Sequence, residues 1–126
     1  MAFIELPTAD LTASTFKSKG NKWVETPGLV DLQVNGFAGV DFNSSGLTSD
    51  SLQLSLEAML ATGVTACLPT IITGSETHLL TCFSALEKAR NSSRLAKTMV
   101  AGYHLEGPFL SKLPGYSGCH QVEAMC

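Results

Sequence analysis

The chain has 126 residues, of which 44% are hydrophobic and 15% are charged, and its formal net charge is −3. Its Lys and Arg residues are scattered along the sequence, which argues against the basic patch of a nucleic-acid-binding protein. It has no run of about 18 apolar residues, so we expect no membrane-spanning helix, and its N-terminus does not resemble a signal peptide. Four widely spaced cysteines form no CxxC pair, which predicts reduced thiols in a cytoplasmic protein. They are Cys67, Cys82, Cys119 and Cys126.

The first clear pattern follows a weakly patterned N-terminal segment. Residues 1–26 predict little beyond a short strand that ends near Trp23. Pro27-Gly28 is typical of a turn. Apolar and polar residues then alternate over residues 29–35, which predicts a strand, and the glycines that follow Asn35 predict a loop.

Two helices and a second strand are predicted next. Apolar residues at helical spacing predict a helix over residues 49–61, after an N-cap at Thr48 or Ser49. The apolar run over residues 64–72 predicts a buried strand, although Pro69 cannot donate a hydrogen bond to a neighbouring strand. Ser75 is the expected N-cap of a second helix, which ends near residues 91–93.

A third strand is predicted over residues 99–105, and the tail after Pro108 is predicted to be a loop. The order strand, helix, strand, helix, strand predicts an α/β fold with parallel strands and right-handed crossovers. Two helices cannot easily cover both faces of a parallel sheet, and the last strand would be an open edge. The pattern therefore indicates the start of a larger α/β fold. The alternative is a small three-layer domain that dimerisation completes.

Polar side chains lie at the C-terminal ends of the first and third predicted strands, where parallel sheets bind ligands. Gln33 and Asn35 lie on one side of the first strand and can hold a water or a ligand carbonyl; alternatively, they satisfy backbone groups at the strand end. Glu106 is a hard oxygen donor suited to a divalent metal; alternatively, it is a structural residue in a salt bridge. His104 shares the strand face of Glu106, and we interpret it as a support for a ligand or a packed core residue.

A glycine-rich segment over residues 115–120 ends in Cys119 and His120. Such a loop can bring an imidazole and backbone N–H groups to a substrate; alternatively, it is a flexible loop with an incidental His. Adjacent side chains usually diverge, which disfavours Cys119 and His120 as a nucleophile–base pair, because such a pair needs hydrogen-bond contact.

Four segments, taken together in this order and spacing, resemble the N-acetylglucosamine-6-phosphate deacetylase family of the amidohydrolase superfamily. The resemblance implies a (β/α)8 barrel beside a small β-sandwich. Residues 1–26 would be a remnant of the sandwich segment, and residues 27–126 the first part of the metal-dependent hydrolase barrel. It also implies hydrolysis of the acetamide of N-acetylglucosamine 6-phosphate to glucosamine 6-phosphate and acetate. The segments are PGLVDLQVNGFAGVDFN (27–43), LPTIIT (68–73), HLEGPFLS (104–111) and GCH (118–120).

The resemblance also implies roles for individual residues. Glu106 would be a metal ligand, and His120 would polarise the substrate carbonyl and stabilise the oxyanion, with Cys119 beside it against the substrate. Gln33 and Asn35 replace the superfamily's usual His-x-His, and neutral amides are poor transition-metal ligands. This implies a single divalent metal, zinc or similar. An amino-sugar phosphate would be the substrate, and the full-length parent would be a homodimer.

Two metal-binding histidines and a catalytic Asp of the family have no counterpart in this sequence, and His78, in a predicted helix, is no substitute. Catalytic zinc sites usually have about three protein ligands. We therefore expect the chain alone to be inactive. The alternative function is that of a truncated, non-catalytic isoform that acts, if at all, by binding or oligomerisation.

Overall fold

The computed structural model describes residues 17–19, 23–25 and 27–126, with side chains from residue 27 onward. Strands β1 (Lys17–Lys19) and β2 (Trp23–Glu25) form an antiparallel pair, so the short strand predicted near Trp23 is present. Most of the segment predicted to be a sandwich remnant lies outside the described residues.

Strand β3 (Leu29–Val34) runs directly into a small hairpin of β4 (Gly36–Phe37) and β5 (Val40–Asp41). Both central residues of the turn have positive φ angles, 51° at Ala38 and 81° at Gly39, as in turns that suit the twist of a hairpin. The sequence predicted only a loop here, because two-residue strands are too short to show an alternating pattern.

Two capped helices flank the central strand. Helix α1 (Ser49–Ala61) begins at Thr48, whose hydroxyl accepts a hydrogen bond from the backbone N–H of Ser51. Strand β6 (Val64–Ile72) follows, and helix α2 (Glu76–Ser92) begins after the N-cap Ser75. These elements confirm the predicted positions.

The predicted third strand, over residues 99–105, begins later than expected. Residues Arg94–Met99 form a short helix, α3, and the hydroxyl of its N-cap Ser93 accepts a hydrogen bond from the N–H of Ala96. Val100 forms only an isolated parallel bridge with Cys67. Strand β7 is limited to His104–Glu106. The serines at the end of α2 therefore end one helix and begin another. The predicted C-terminal loop contains one 3-10 turn, Val122–Ala124.

Strands β3, β6 and β7 form a parallel sheet with β6 in the centre. This confirms the predicted α/β arrangement. Pro69 does not end the strand: it lies inside β6, opposite Val34. None of the described helices is long and apolar enough to cross a lipid bilayer.

All three helices pack against one face of β6. Cys67 and Ile71 on that face are fully buried. The helices thus bury one face of β6, and its C-terminal end positions the site described below. The fully buried apolar side chains contributed by α1 and α2 are Leu52, Leu56, Met59, Cys82 and Leu86.

Candidate active site

The carboxyl ends of the three parallel strands meet at one edge of the sheet, and polar side chains gather there. Glu106 is the last residue of β7, Thr73 directly follows β6, and Asn35 directly follows β3. This edge is where parallel α/β folds bind ligands.

Glu106 is the centre of this group. Asn35 Nδ2 donates a hydrogen bond to Glu106 Oε2 over 3.3 Å. His120 Nε2 lies 3.5 Å from Glu106 Oε1. The Glu106 side chain keeps 30% of its surface exposed, whereas that of His120 keeps 8%. The structure therefore places together three of the residues singled out in the sequence, with the carboxylate still open to solvent.

Thr73 connects the imidazole to the strand end. Its Oγ1 lies 3.0 Å from the backbone oxygen of Glu106 and 3.1 Å from His120 Nδ1. Thr73 was not singled out in the sequence. Its position one residue after a buried strand was the available signal, because such positions line the ligand-binding edge.

Asn43 is a second residue that the sequence did not reveal. Its Nδ2 donates to the carbonyl of Thr70 over 3.0 Å, and its Oδ1 accepts from the N–H of Ile72 over 2.8 Å. The side-chain amide thereby satisfies two backbone groups of β6 where β3 has ended. It fixes the hairpin against the strand end from which Thr73 projects.

The loop that carries His120 has two residues with positive φ angles, Gly115 at 89° and Gly118 at 54°. The backbone N–H of His120 donates to the carbonyl of Ser117, and the N–H of Cys126 donates to that of Pro108. The chain therefore returns to β7 after His120, and this return brings the imidazole to Glu106.

Four other residues considered in the sequence form no hydrogen bond with the Glu106 or His120 side chains in the described part of the chain. Gln33 is exposed on β3. Cys119 is exposed. His104 Nδ1 lies 3.4 Å from Thr70 Oγ1, a contact that fits a packed residue or a supporting one. His78 is on α2, with its Nε2 3.5 Å from the Cys82 sulfur.

The buried thiols are not suited to nucleophilic chemistry. Burial, with a smaller contribution from Asp31, raises the pKa of Cys67 to about 11. Burial and then Asp41 also raise the pKa of Cys82. Because the thiolate is the reactive form, both groups are poor nucleophiles at neutral pH.

A divalent metal does not fit the described residues alone. Among residues 27–126, the structure contains no group of three His, Cys, Asp or Glu side chains arranged to hold a metal ion. Glu106 and His120 supply one carboxylate and one imidazole, and catalytic sites need about three protein ligands. The described residues can bind and orient a polar ligand, and any metal would need ligands from outside them.

The chain matches no protein-family model. It is 35% identical over 108 residues to the N-acetylglucosamine-6-phosphate deacetylase of Haemophilus influenzae, a match that covers 84% of this chain and 27% of that protein. It is also 36% identical over 93 residues to the N-acetylgalactosamine-6-phosphate deacetylase of a Shewanella strain, covering 74% of this chain and 22% of that protein.

The fold shows the same similarity. The crystal structure of N-acetylglucosamine-6-phosphate deacetylase from Pasteurella multocida matches with a TM-score of 0.64 and 30% identity, covering 79% of this chain and 25% of that one. The chain thus spans about a quarter of the length of the relatives that it matches. The resemblance inferred from the sequence motifs is confirmed in both sequence and fold.

Proposed function

Because the chain is related in sequence and fold to N-acetylglucosamine-6-phosphate deacetylases, we propose that it forms the part of such an enzyme that carries Glu106 and His120. The reaction is hydrolysis of the acetamide of an N-acetylated amino-sugar 6-phosphate to the free amine and acetate. The supporting observation is that His120, from the loop that follows β7, lies 3.5 Å from Glu106 at the ligand-binding edge of the sheet.

The sugar proposed as substrate is N-acetylglucosamine 6-phosphate. A relative named for the galactosamine isomer matches at a similar identity, so the choice between the two sugars needs a direct comparison of both substrates. We place the protein in the cytoplasm and propose a homodimer for the full-length enzyme.

In this proposal His120 polarises the acetamide carbonyl and stabilises the negative charge that develops on its oxygen. Cys119 lies beside it, against the substrate. Asn35 holds the Glu106 carboxylate through its amide N–H, and Gln33 occupies the same strand end. Glu106 is proposed as an oxygen ligand of a single divalent metal, zinc or similar. The other ligands and a catalytic Asp would come from outside residues 27–126.

A second function is favoured by the incomplete set of metal ligands among residues 27–126 and by the exposed apolar side chains of β3. Leu29, Val30 and Leu32 are 58%, 48% and 67% exposed, and edge strands readily pair with another chain. A non-catalytic protein that acts by binding or oligomerisation would have these properties.

Acetate release in the presence of added zinc distinguishes the two functions. It is measured for the 126-residue chain and for the protein encoded by the full open reading frame of its gene, each beside its Glu106→Gln variant. We expect the chain to match its variant, because residues 27–126 supply an incomplete set of metal ligands. We expect the protein encoded by the full open reading frame to be active. Glu106→Gln should reduce its activity about 100-fold or more, because removing a metal ligand should cost at least as much as removing a group that only supports a ligand.

Glu123→Gln is the matched control, since Glu123 is exposed in the C-terminal turn and lies outside the Glu106 group. It should leave acetate release unchanged. A full-frame protein that releases no acetate from either sugar, or that is indifferent to Glu106→Gln, would contradict the deacetylase proposal.

A further inference from the structure

The side-chain amide of Asn43 continues the sheet beyond the end of β3. The pairing of β3 with β6 ends at Pro69. Beyond it, Asn43 Oδ1 accepts a hydrogen bond from the N–H of Ile72 over 2.8 Å, and Asn43 Nδ2 donates one to the carbonyl of Thr70 over 3.0 Å. A strand residue opposite Ile71 would bind the same two backbone groups in a parallel sheet. The amide therefore takes the place of a peptide group of β3.

The backbone of Asn43 is itself held in place. Its N–H donates to Asp41 Oδ1 over 2.8 Å, and its carbonyl oxygen accepts a hydrogen bond from the thiol of Cys82 over 3.2 Å. The preceding residue, Phe42, is fully buried. Because these contacts fix the backbone, only the side-chain torsions of Asn43 must be ordered when the amide binds β6.

The same amide connects β6 to the residue that contacts Glu106. Asn43 Nδ2 lies 3.5 Å from the carbonyl oxygen of Asn35, which also accepts from the N–H of Phe42 over 3.0 Å. The side chain of Asn35 donates to Glu106 Oε2. Thr73 follows β6 directly and donates to the backbone oxygen of Glu106, which closes a ring of contacts through all three strand ends. A shift of Asn43 would therefore move Asn35 relative to Glu106.

We propose that Asn43 is a positioning residue that holds Asn35 against the Glu106 carboxylate. It fixes the end of β3 on β6, and Thr73 fixes the end of β7 on the same strand. With Oε2 bonded to Asn35, the other carboxylate oxygen of Glu106 faces His120. Only the catalytic meaning of this arrangement rests on the proposed function. The contacts themselves can be measured without substrate.

NMR of the ¹³C,¹⁵N-labelled 126-residue chain tests the first contact directly. We expect a scalar coupling across the hydrogen bond between the backbone nitrogen of Ile72 and Cγ of Asn43, whose donor and acceptor are 2.8 Å apart. If the paired backbone groups of β3 and β6 show such couplings and this pair does not, the proposal is overturned. The measurement uses the wild type alone, so it decides even where a variant does not fold.

A second measurement follows the side-chain N–H signals of Asn35 in Asn43→Ala and Asn43→Asp. Asn43→Asp keeps the size of the side chain but replaces its donor with a second oxygen, which separates hydrogen bonding from packing. Glu106→Ala gives the position of the Asn35 signals without the carboxylate. The matched control is Asn91→Ala, since Asn91 is exposed on α2 and its amide binds Glu87 there.

We expect both Asn43 variants to move the Asn35 signals towards their position in Glu106→Ala, whereas the control should leave them in place. Hydrogen exchange of the Ile72 N–H should accelerate about fivefold in Asn43→Ala, the effect of losing one hydrogen bond. This acceleration is measured relative to the N–H of Leu56 in the middle of α1, which reports the stability of the fold. If Asn43→Ala does not fold, the wild-type coupling and Asn43→Asp decide.

Asn35 signals that keep their wild-type position in the Asn43 variants overturn the proposal. Equal acceleration of exchange at Ile72 and Leu56 also overturns it, because Asn43 would then stabilise the fold without positioning the site. Neither result bears on acetate release. Conversely, a protein without deacetylase activity can still show the coupling and the signal shifts, so the two proposals fail separately.

Discussion

The helix-covered face of β6 and the edge at the strand ends are stabilised by different interactions. Ile71 on the covered face and Leu56 of α1, which packs against that face, are fully buried among apolar side chains. At the strand ends, Asn43 and Thr73 form hydrogen bonds that join segments about 30 residues or more apart in the sequence. Apolar burial is non-directional and tolerates small shifts, whereas the polar edge depends on the position of individual atoms. The covered face should therefore determine stability, and the edge should determine geometry.

The largest expected effect is the loss of a buried side chain from the covered face. Leu56→Ala should lower the free energy of unfolding by about 2–5 kcal/mol, because it removes apolar contacts and leaves a cavity. A loss of this size approaches the whole stability of a small domain. Urea unfolding followed by circular dichroism measures it.

Leu54→Ala is the matched control, since Leu54 is on the same helix and is 58% exposed. Its effect should stay within about 0.5 kcal/mol. Equal losses for the two substitutions would mean that α1 does not pack against β6 through Leu56.

An effect of up to the same size is expected at the edge, from Gly107→Ala. The φ angle of 86° at Gly107 makes any side chain unfavourable by about 1–2 kcal/mol. The added Cβ would also overlap Thr73 Oγ1, which should cost about 1–3 kcal/mol more through the forced shift. Urea unfolding measures the sum.

Gly115→Ala separates the two contributions. Gly115 has a φ angle of 89°, but a Cβ there would meet no atom within 4 Å, so only the backbone strain remains. If Gly107→Ala is no more destabilising than Gly115→Ala, Thr73 does not occupy the space that the structure assigns to it.

The contrast between the apolar covered face and the polar edge also explains which parts of the structure the sequence could predict. Helical spacing predicted α1 and α2, and the apolar run predicted β6, because burial against a neighbour imposes a regular pattern. The position of Glu106 after a strand, with His120 in a later glycine-rich loop, also indicated a candidate site. Helix α3 was missed because Ser93 was read only as a helix end.

The hydrogen bonds of the site could not be predicted. Asn43 and Thr73 are common residue types. The end of β6 indicated the position of Thr73, but the hydrogen-bond partners of both residues are brought near only by the fold. The approach of His120 to Glu106 likewise depends on the loop that returns past Pro108. Periodicity reports burial, but it carries no information on which polar groups from distant segments meet.

The smallest expected effect is at Tyr103, a partly buried residue at the margin of the apolar core. Its hydroxyl donates a hydrogen bond to the Glu87 carboxylate, and its ring packs edge-on against Phe83. This hydrogen bond, followed by one from Asn91, lowers the pKa of Glu87. Burial and the same hydrogen bond raise the pKa of Tyr103.

Because the pKa of Glu87 is lower in the folded chain than in the unfolded one, its stabilising contribution is present above the unfolded pKa and is lost as the pH falls through the folded pKa. Glu87→Gln should therefore lower Tm slightly at neutral pH and have no effect in acid. The shift should be small, since Glu87 is solvent-accessible. Thermal melts between neutral and acid pH measure it.

The pH-dependent difference in Tm should shrink in a Tyr103→Phe background, which keeps the ring contact with Phe83 but removes the main cause of the change in the Glu87 pKa. A difference that Tyr103→Phe leaves intact would assign the pKa change to Asn91 and Arg90 and remove Tyr103 from the pH response.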